Sequence, residues 1–259
     1  MKAVISFVVA VLVLAGTSIL LIHLGKWDDV TGAVGDIFGE SAEDAMVWFG
    51  ATADDARTAA SSEFEQLRSG QLPEIDWDRV ATSVDALLSP TTERHPSYDR
   101  DEFGAGWLDL DGDGCDTRNE VLARDLTSVV FDADGCTVLA GSLADPYTAA
   151  VINFTRGQDT SGAVQIDHIV PLSLAWDMGA WRWSDQDREQ FANDPGNLLA
   201  VDGPTNGSKG DSSLSEWLPP NTDYICTYTV MFVTLTERYE LAMSDADKAA
   251  AAEAIDACK

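Results

Sequence analysis

The sequence predicts an α+β protein that begins with an apolar helix and a helical spacer. Three observations lead there. Residues 3–24 are almost wholly apolar. Residues 27–72 are acidic and rich in Ala, Gly and Ser, with a modest apolar stripe, and an amphipathic helical pattern resumes over 75–88. From Tyr98 onward, short β-type runs alternate with helical patterns, and the chain closes on two helices. A length of 259 residues accommodates one sizeable domain with additional segments.

Ala3 to Leu24 lies between Lys2 and Lys26, interrupted only by Gly16, Thr17, Ser18 and His23. It is long enough to span a bilayer, which takes about 20 residues, and it exceeds the apolar core of about 7–15 residues in a signal peptide. No small-x-small cleavage site closes it, and VLAGTS lacks the cysteine of a lipoprotein signal. We expect an uncleaved signal-anchor over 1–26, amino end inside, with a cleaved signal peptide as the alternative. Either one places the rest of the chain outside the cytoplasm, and the anchor makes the membrane a partner.

Residues 27–95 form the acidic spacer, with an apolar stripe through Met46, Val47, Phe49 and Phe64. Ile75, Val80, Val84, Leu87 and Leu88 mark an amphipathic helix that Ser89-Pro90 stops. A Pro-punctuated link follows, with His95 as a solvated loop residue. The main domain then spans 96–259. In it we expect a helix over 121–126 and strands over 128–131, 137–139 and 149–155. Two further apolar runs, at IDHIVPL and NLLAV, enclose a Trp-rich stretch (Trp176, Trp181, Trp183) and a polar helix at 184–191. A polar turn, Asn206-Gly-Ser-Lys209-Gly210, precedes helices at 227–241 and 245–258.

The four cysteines are Cys115, Cys136, Cys226 and Cys258. None forms a C-x-x-C pair, which argues against a zinc ribbon or a thioredoxin-like site. On the exported side an even number reads as two disulfides. Three pairings are possible. Cys115–Cys136 with Cys226–Cys258 is favoured because each closes a local loop, worth about 3 kcal/mol in the chain-entropy model.

Charge points away from nucleic acid. The chain holds 16 basic and 44 acidic residues, a formal net charge of −28, whereas phosphate binding normally calls for the opposite sign. A local positive patch or a salty medium would reconcile the two.

The chemistry gathers between Ile166 and Asp211. His23 lies in the apolar segment and His95 in the link, so His-dependent catalysis falls on His168. Asp167 beside it is costly at the end of an apolar run unless something binds it. Successive strand residues face opposite sides, so Asp167 and His168 serve one substrate only if the strand ends or bends there. Pro171 is compatible with such a break.

DHIVPL, NLLAV and NGSKGD, in this order, resemble the ββα-metal (HNH-like, His-Me finger) site of HNH endonucleases. The resemblance extends through YDRDEFGAGWLDLDGDGCDTRNEVLARDL, ADPYTAAVINFTRG, VQIDHIVPLSLAWDMGA, FANDPGNLLAVDGPTNGSKGD and WLPPN to exported HNH proteins related to the C-terminal domain of the GmrSD restriction enzyme. It implies His168 as general base, with Asp167 and Asn206 as ligands of a divalent metal. It implies Asn197 as a brace for the second strand, and Lys209, on the first turn of the next helix, as a phosphate contact. With no further histidine to offer, oxygen ligation favours Mg²⁺ or Mn²⁺ over Zn²⁺. Asp211 is a further ligand or a turn residue.

Asp109, Asp111, Asp113 and Glu120, with Gly114 between, fit the twelve-residue calcium-loop pattern, so a structural Ca²⁺ competes with a solvated acidic turn. Arg118 is aimed at substrate phosphate or held in a salt bridge. The tryptophans are core residues or base-stacking platforms. The expected function is metal-dependent hydrolysis of DNA with little sequence preference outside the cytoplasm. The alternative is a catalytically silent extracellular module that binds calcium or a partner.

Overall fold

The computed structural model describes residues 75–110 and 112–259, all within the second of two units, Phe64–Lys259. The apolar N-terminal segment, most of the spacer and Asp111 lie outside the described residues.

Helix starts follow local capping chemistry. Asp76 opens α1 (Trp77–Ala86) and Asp116 opens α2 (Thr117–Asp125), each side chain accepting from a backbone N–H of the first turn. Pro171 precedes the short α3 (Leu172–Asp177), and Ser184 caps α4 (Asp185–Ala192). Asp202 caps α5 (Gly203–Lys209), and Pro204 sits in its first turn, where no N–H is needed. The apolar α6 (Ile225–Arg238) and the Ser244-capped α7 (Asp245–Cys258) complete the set.

Strands β1 (Leu126–Phe131), β2 (Val138–Ala144) and β3 (Val151–Thr155) form an antiparallel sheet in that order. Strands β4 (Val164–His168) and β5 (Leu198–Asp202) form a second antiparallel sheet. This pair is buried on both faces. Leu198 and Ala200 of β5, with Val164 and Ile166 of β4, join a core with Val121 and Leu122 of α2 and Leu126, Val138, Leu143 and Phe154 of the first sheet. Leu199 and Val201 face the larger core, built from α1, α3, α4, α6 and α7. Burial on both sides explains why NLLAV reads as a continuous apolar run rather than an alternating one.

The free edge of β5 is closed by side chains. Arg124 Nη2 donates to Leu198 O at 2.7 Å, and Asp125 Oδ2 accepts from Ala200 N at 2.9 Å. Asp145 Oδ1 accepts from Asp202 N at 2.9 Å. An exposed strand edge is thereby removed.

Several expectations need correction. Of the polar turn at 206–210, Asn206 to Lys209 form the second half of α5 and Gly210 caps it, because the Asp202 cap and Pro204 start a helix earlier, at Gly203. A Cβ at Gly203 would lie 2.0 Å from Gly162 O, so only glycine fits there. Lys209 is therefore the last residue of this helix, not on the first turn of the next one. Strand β2 runs to Ala144, longer than expected, since Ala140, Gly141 and Ser142 carry little β signal. The helix α1, read as part of the spacer, packs Val80 and Val84 into the larger core. Both disulfides close the local loops, Cys115–Cys136 with Cα atoms 5.2 Å apart and Cys226–Cys258 at 5.9 Å. Among the described residues no helix is long and apolar enough to cross a membrane.

Candidate active site

Strand β4 runs regularly to its end, with Asp167 opposite Leu199 and His168 opposite Leu198. Period-two alternation therefore splits the adjacent pair. Gln165 and Asp167 turn toward α5, and His168 turns toward the face shared with α2. The bend needed to bring both side chains to one substrate is absent, since both residues keep their strand register.

Past His168 the chain is held by Asn197. Its backbone carbonyl accepts from Ile169 N at 2.8 Å and its Oδ1 from Val170 N at 2.8 Å, while Nδ2 donates to Val170 O at 3.2 Å. Asn197 is fully buried, and its amide does for this corner what a third strand would do.

On the α5 face, Asp167 is buried and fully partnered. Lys209 Nζ donates to its Oδ1 at 2.9 Å and to the His168 carbonyl at 2.8 Å. Tyr147 Oη donates to its Oδ2 at 2.5 Å. Burial raises the Asp167 carboxyl, and the Lys209 ammonium and Tyr147 hydroxyl oppose that rise. Tyr147 is itself pushed well up by burial and then by the Asp167 charge. The Lys209 side chain has no exposed surface, so its ammonium faces a carboxylate and a carbonyl rather than substrate. Asn206, on α5, donates from Nδ2 to Gln165 Oε1 at 3.0 Å.

His168 is half-buried in a different setting. Its Nε2 lies 2.8 Å from Ala192 O. A carbonyl only accepts, so the neutral ring carries its proton on Nε2 and leaves a lone pair on Nδ1. Burial lowers its pKa from 6.5 to about 4; the Ala192 carbonyl works against this, and the charges of Arg100 and Lys209 add to it. The Trp107 ring lies parallel to the imidazole, 7° between planes and 6.1 Å between centroids. Asn193 places that tryptophan, its Oδ1 accepting from Leu108 N at 2.9 Å and its Nδ2 donating to Gly106 O at 3.3 Å. The C-terminal end of α4 thus supplies both Ala192 O and the Asn193 anchor.

With this geometry in place, residues 116–253 match the family described as GmrSD restriction endonucleases, C-terminal domain. The chain belongs to that family. It is 38% identical over 184 residues to an "Uncharacterized secreted protein" of Arthroderma benhamiae (strain ATCC MYA-4681 / CBS 112371), covering 69% of this chain and 86% of that protein. No solved structure matches it.

In this GmrSD C-terminal domain the residues of the expected calcium loop are engaged locally. Asp109 accepts from Gly112 N and Gly114 N, and Asp113 Oδ1 accepts from Cys115 N, which is an acidic turn shaped by its own backbone. Glu120 stands on the first turn of α2, and Asp111 is outside the described residues. Asp113 also approaches the sulfurs of Cys115 and Cys136, but those sulfurs are joined in a disulfide and offer no thiolate. His95 pairs with Asp177 at 3.7 Å and stacks near Trp181, while Trp176 is buried in the larger core. As folded, Asp167 and Asn206 do not fit a divalent cation. Both Asp167 oxygens accept from protein donors, and one of those donors is an ammonium that would repel the ion. Trp107, Asn193, Tyr147 and the Ala192 carbonyl escaped the sequence reading. GAGWLDL and ADPYTAA were within the resembling blocks, but nothing in their spacing points to His168 or Asp167.

Proposed function

We propose that the chain hydrolyses phosphodiester bonds of nucleic acid outside the cytoplasm, on an HNH-type ββα unit formed by β4, β5 and α5. The observation that carries this is the imidazole of His168. It stands at the end of β4, neutral, with Nε2–H fixed on a backbone carbonyl and no protein partner on Nδ1 among the described residues. A neutral ring oriented through one nitrogen and open at the other is what a general base for water requires.

In this scheme Nδ1 takes the proton of the attacking water. The Ala192 carbonyl then stabilises the imidazolium that results. Trp107 fixes the ring plane, and Asn197 fixes the backbone that carries it. Lys209 serves as a positioning residue, pinning the His168 carbonyl while balancing Asp167. No step is assigned to a cation, because both oxygens of Asp167, the carboxylate expected to hold Mg²⁺ or Mn²⁺, already accept from Lys209 and Tyr147. The family tie to restriction endonucleases and the secreted relative support the substrate class and the compartment.

The test is direct. The purified chain is incubated with plasmid DNA, and separately with RNA, in EDTA, Mg²⁺ or Mn²⁺ across a range of salt. Nicking that vanishes in a folded His168→Ala variant is the expected result. Absence of cleavage by wild type under every condition would instead leave the fold as a silent binding module.

A further inference from the structure

Four arginines among the described residues are not fully exposed: Arg118, Arg124, Arg156 and Arg188. Arg124 pairs with Asp125, and Arg188 with Glu102 and Asp185. Among the described residues Arg118 and Arg156 form no ion pair, in a chain where carboxylates far outnumber cations. They also lie close together, because Arg156 donates to Asn119 Oδ1, the residue that follows Arg118 on α2. Burial and then the Arg156 charge lower the Arg118 pKa, and the Asp116 carboxylate works against them.

The neighbouring carboxylates are turned elsewhere. Asp116 Oδ1 caps α2, accepting from Asn119 N at 2.8 Å and Asn119 Nδ2 at 2.9 Å. Asp134 accepts from Cys136 N, Thr137 N and Thr137 Oγ1. Arg156 is held in place, with Nε donating to Val138 O at 2.7 Å and Nη2 to Asn119 Oδ1. The Cys115–Cys136 disulfide ties the approach to α2 to the approach to β2 at this spot. Arg118 makes no hydrogen bond within the protein among the described residues, so its whole fork of donors is unused. The charges of Asp116 and Asp134 reach this spot, but among the described residues neither forms an ion pair with Arg118 or Arg156, and two guanidiniums beside Asn119 that keep donors to spare make a receptor for a third party that is anionic.

We propose that Arg118 and Arg156 form a subsite for a backbone phosphate of the bound nucleic acid. This rests on the nuclease reading above and adds the local positive patch that an acidic protein needs. The subsite flanks the candidate centre. Thr117, next to Arg118, donates from N and Oγ1 to Leu108 O, one residue from the Trp107 that lies over His168.

The experiment uses the full chain carrying His168→Ala, so that substrate stays intact, and measures duplex DNA binding by fluorescence anisotropy at several NaCl concentrations. Adding Arg118→Gln, which removes no hydrogen bond or ion pair among the described residues, should weaken binding several-fold. It should also shift the slope of log K against log salt by about 0.9 in the positive direction, the signature of one lost phosphate contact on B-DNA. Arg156→Gln should do the same, with a melting curve to separate loss of its Val138 contact from loss of phosphate. Unchanged affinity and slope in Arg118→Gln overturns the subsite, and the nuclease reading survives if wild type cuts DNA. No DNA binding by the His168→Ala parent overturns the subsite as well, and a wild type that does not cut then removes the nuclease reading with it.

Discussion

The behaviour of His168 follows from its burial. The folded ring titrates near 4 rather than 6.5, so folding favours the neutral form. The stability this contributes is present above about pH 6.5 and is lost as pH falls toward 4. The acid limb of DNA cleavage should accordingly lie near pH 4, and a limb centred at 6.5 would show a solvated imidazole instead. The stability difference between wild type and His168→Ala should shrink over the same interval in melting curves. Lys209 allows a second test. Lys209→Met leaves the Asp167 carboxylate buried and half-partnered, which should cost about 3–5 kcal/mol in denaturant unfolding. The double variant Asp167→Leu/Lys209→Met should recover much of that, and a single-variant cost below about 1 kcal/mol would mean that the pair is solvated. At this scale the residues to watch were legible, because an Asp-His pair at the end of an apolar run is chemically expensive. Their partners were not. Tyr147 meets Asp167 across 20 residues of chain, and Leu108 meets Asn193 across 85, and no local pattern records such pairings.

Among the elements, α2 is the one that joins the two sheets. It packs Val121 and Leu122 into the core between the sheets, and Arg124 and Asp125 at its end cover the β5 edge. The Cys115–Cys136 bridge, with a sequence separation of 21, fixes its approach. Replacing both cysteines with serine should cost about 3 kcal/mol by the chain-entropy relation, read as a lowered denaturant midpoint. Cleavage by that variant should fall even where it remains folded, because α2 begins beside the Trp107 loop. Most elements could be placed from capping and periodicity: α2, α4, α6 and α7 lie within a few residues of their expected spans. The exception was α5, where Gly207 and Ser208 read as a turn. Its helix is stabilised by the Asp202 cap and by packing against β4 and β5, and packing outweighs the weak helical propensity of those residues.

Over the whole molecule, the net charge of −28 sets the approach of any polyanion. Long-range repulsion dominates encounter, so the association rate with DNA should rise as NaCl increases from about 10 to 150 mM, as the Debye length shrinks toward 8 Å. A rate that falls steeply with salt would show steering by a basic face instead. By itself the sequence determined the α+β class, the acidic character and the small set of residues able to do chemistry, and it favoured the two local disulfides over the other pairings. Each of these follows from composition, spacing or the cost of an ionisable group in an apolar run. Only the tertiary structure decided that Asp167 and His168 occupy opposite faces of β4, that Lys209 is buried as a clamp, and that Arg118 and Arg156 meet beside Asn119 with no ion pair among the described residues. Those outcomes depend on which distant segments meet across the two cores, where long-range packing and desolvation outweigh anything encoded within a few residues.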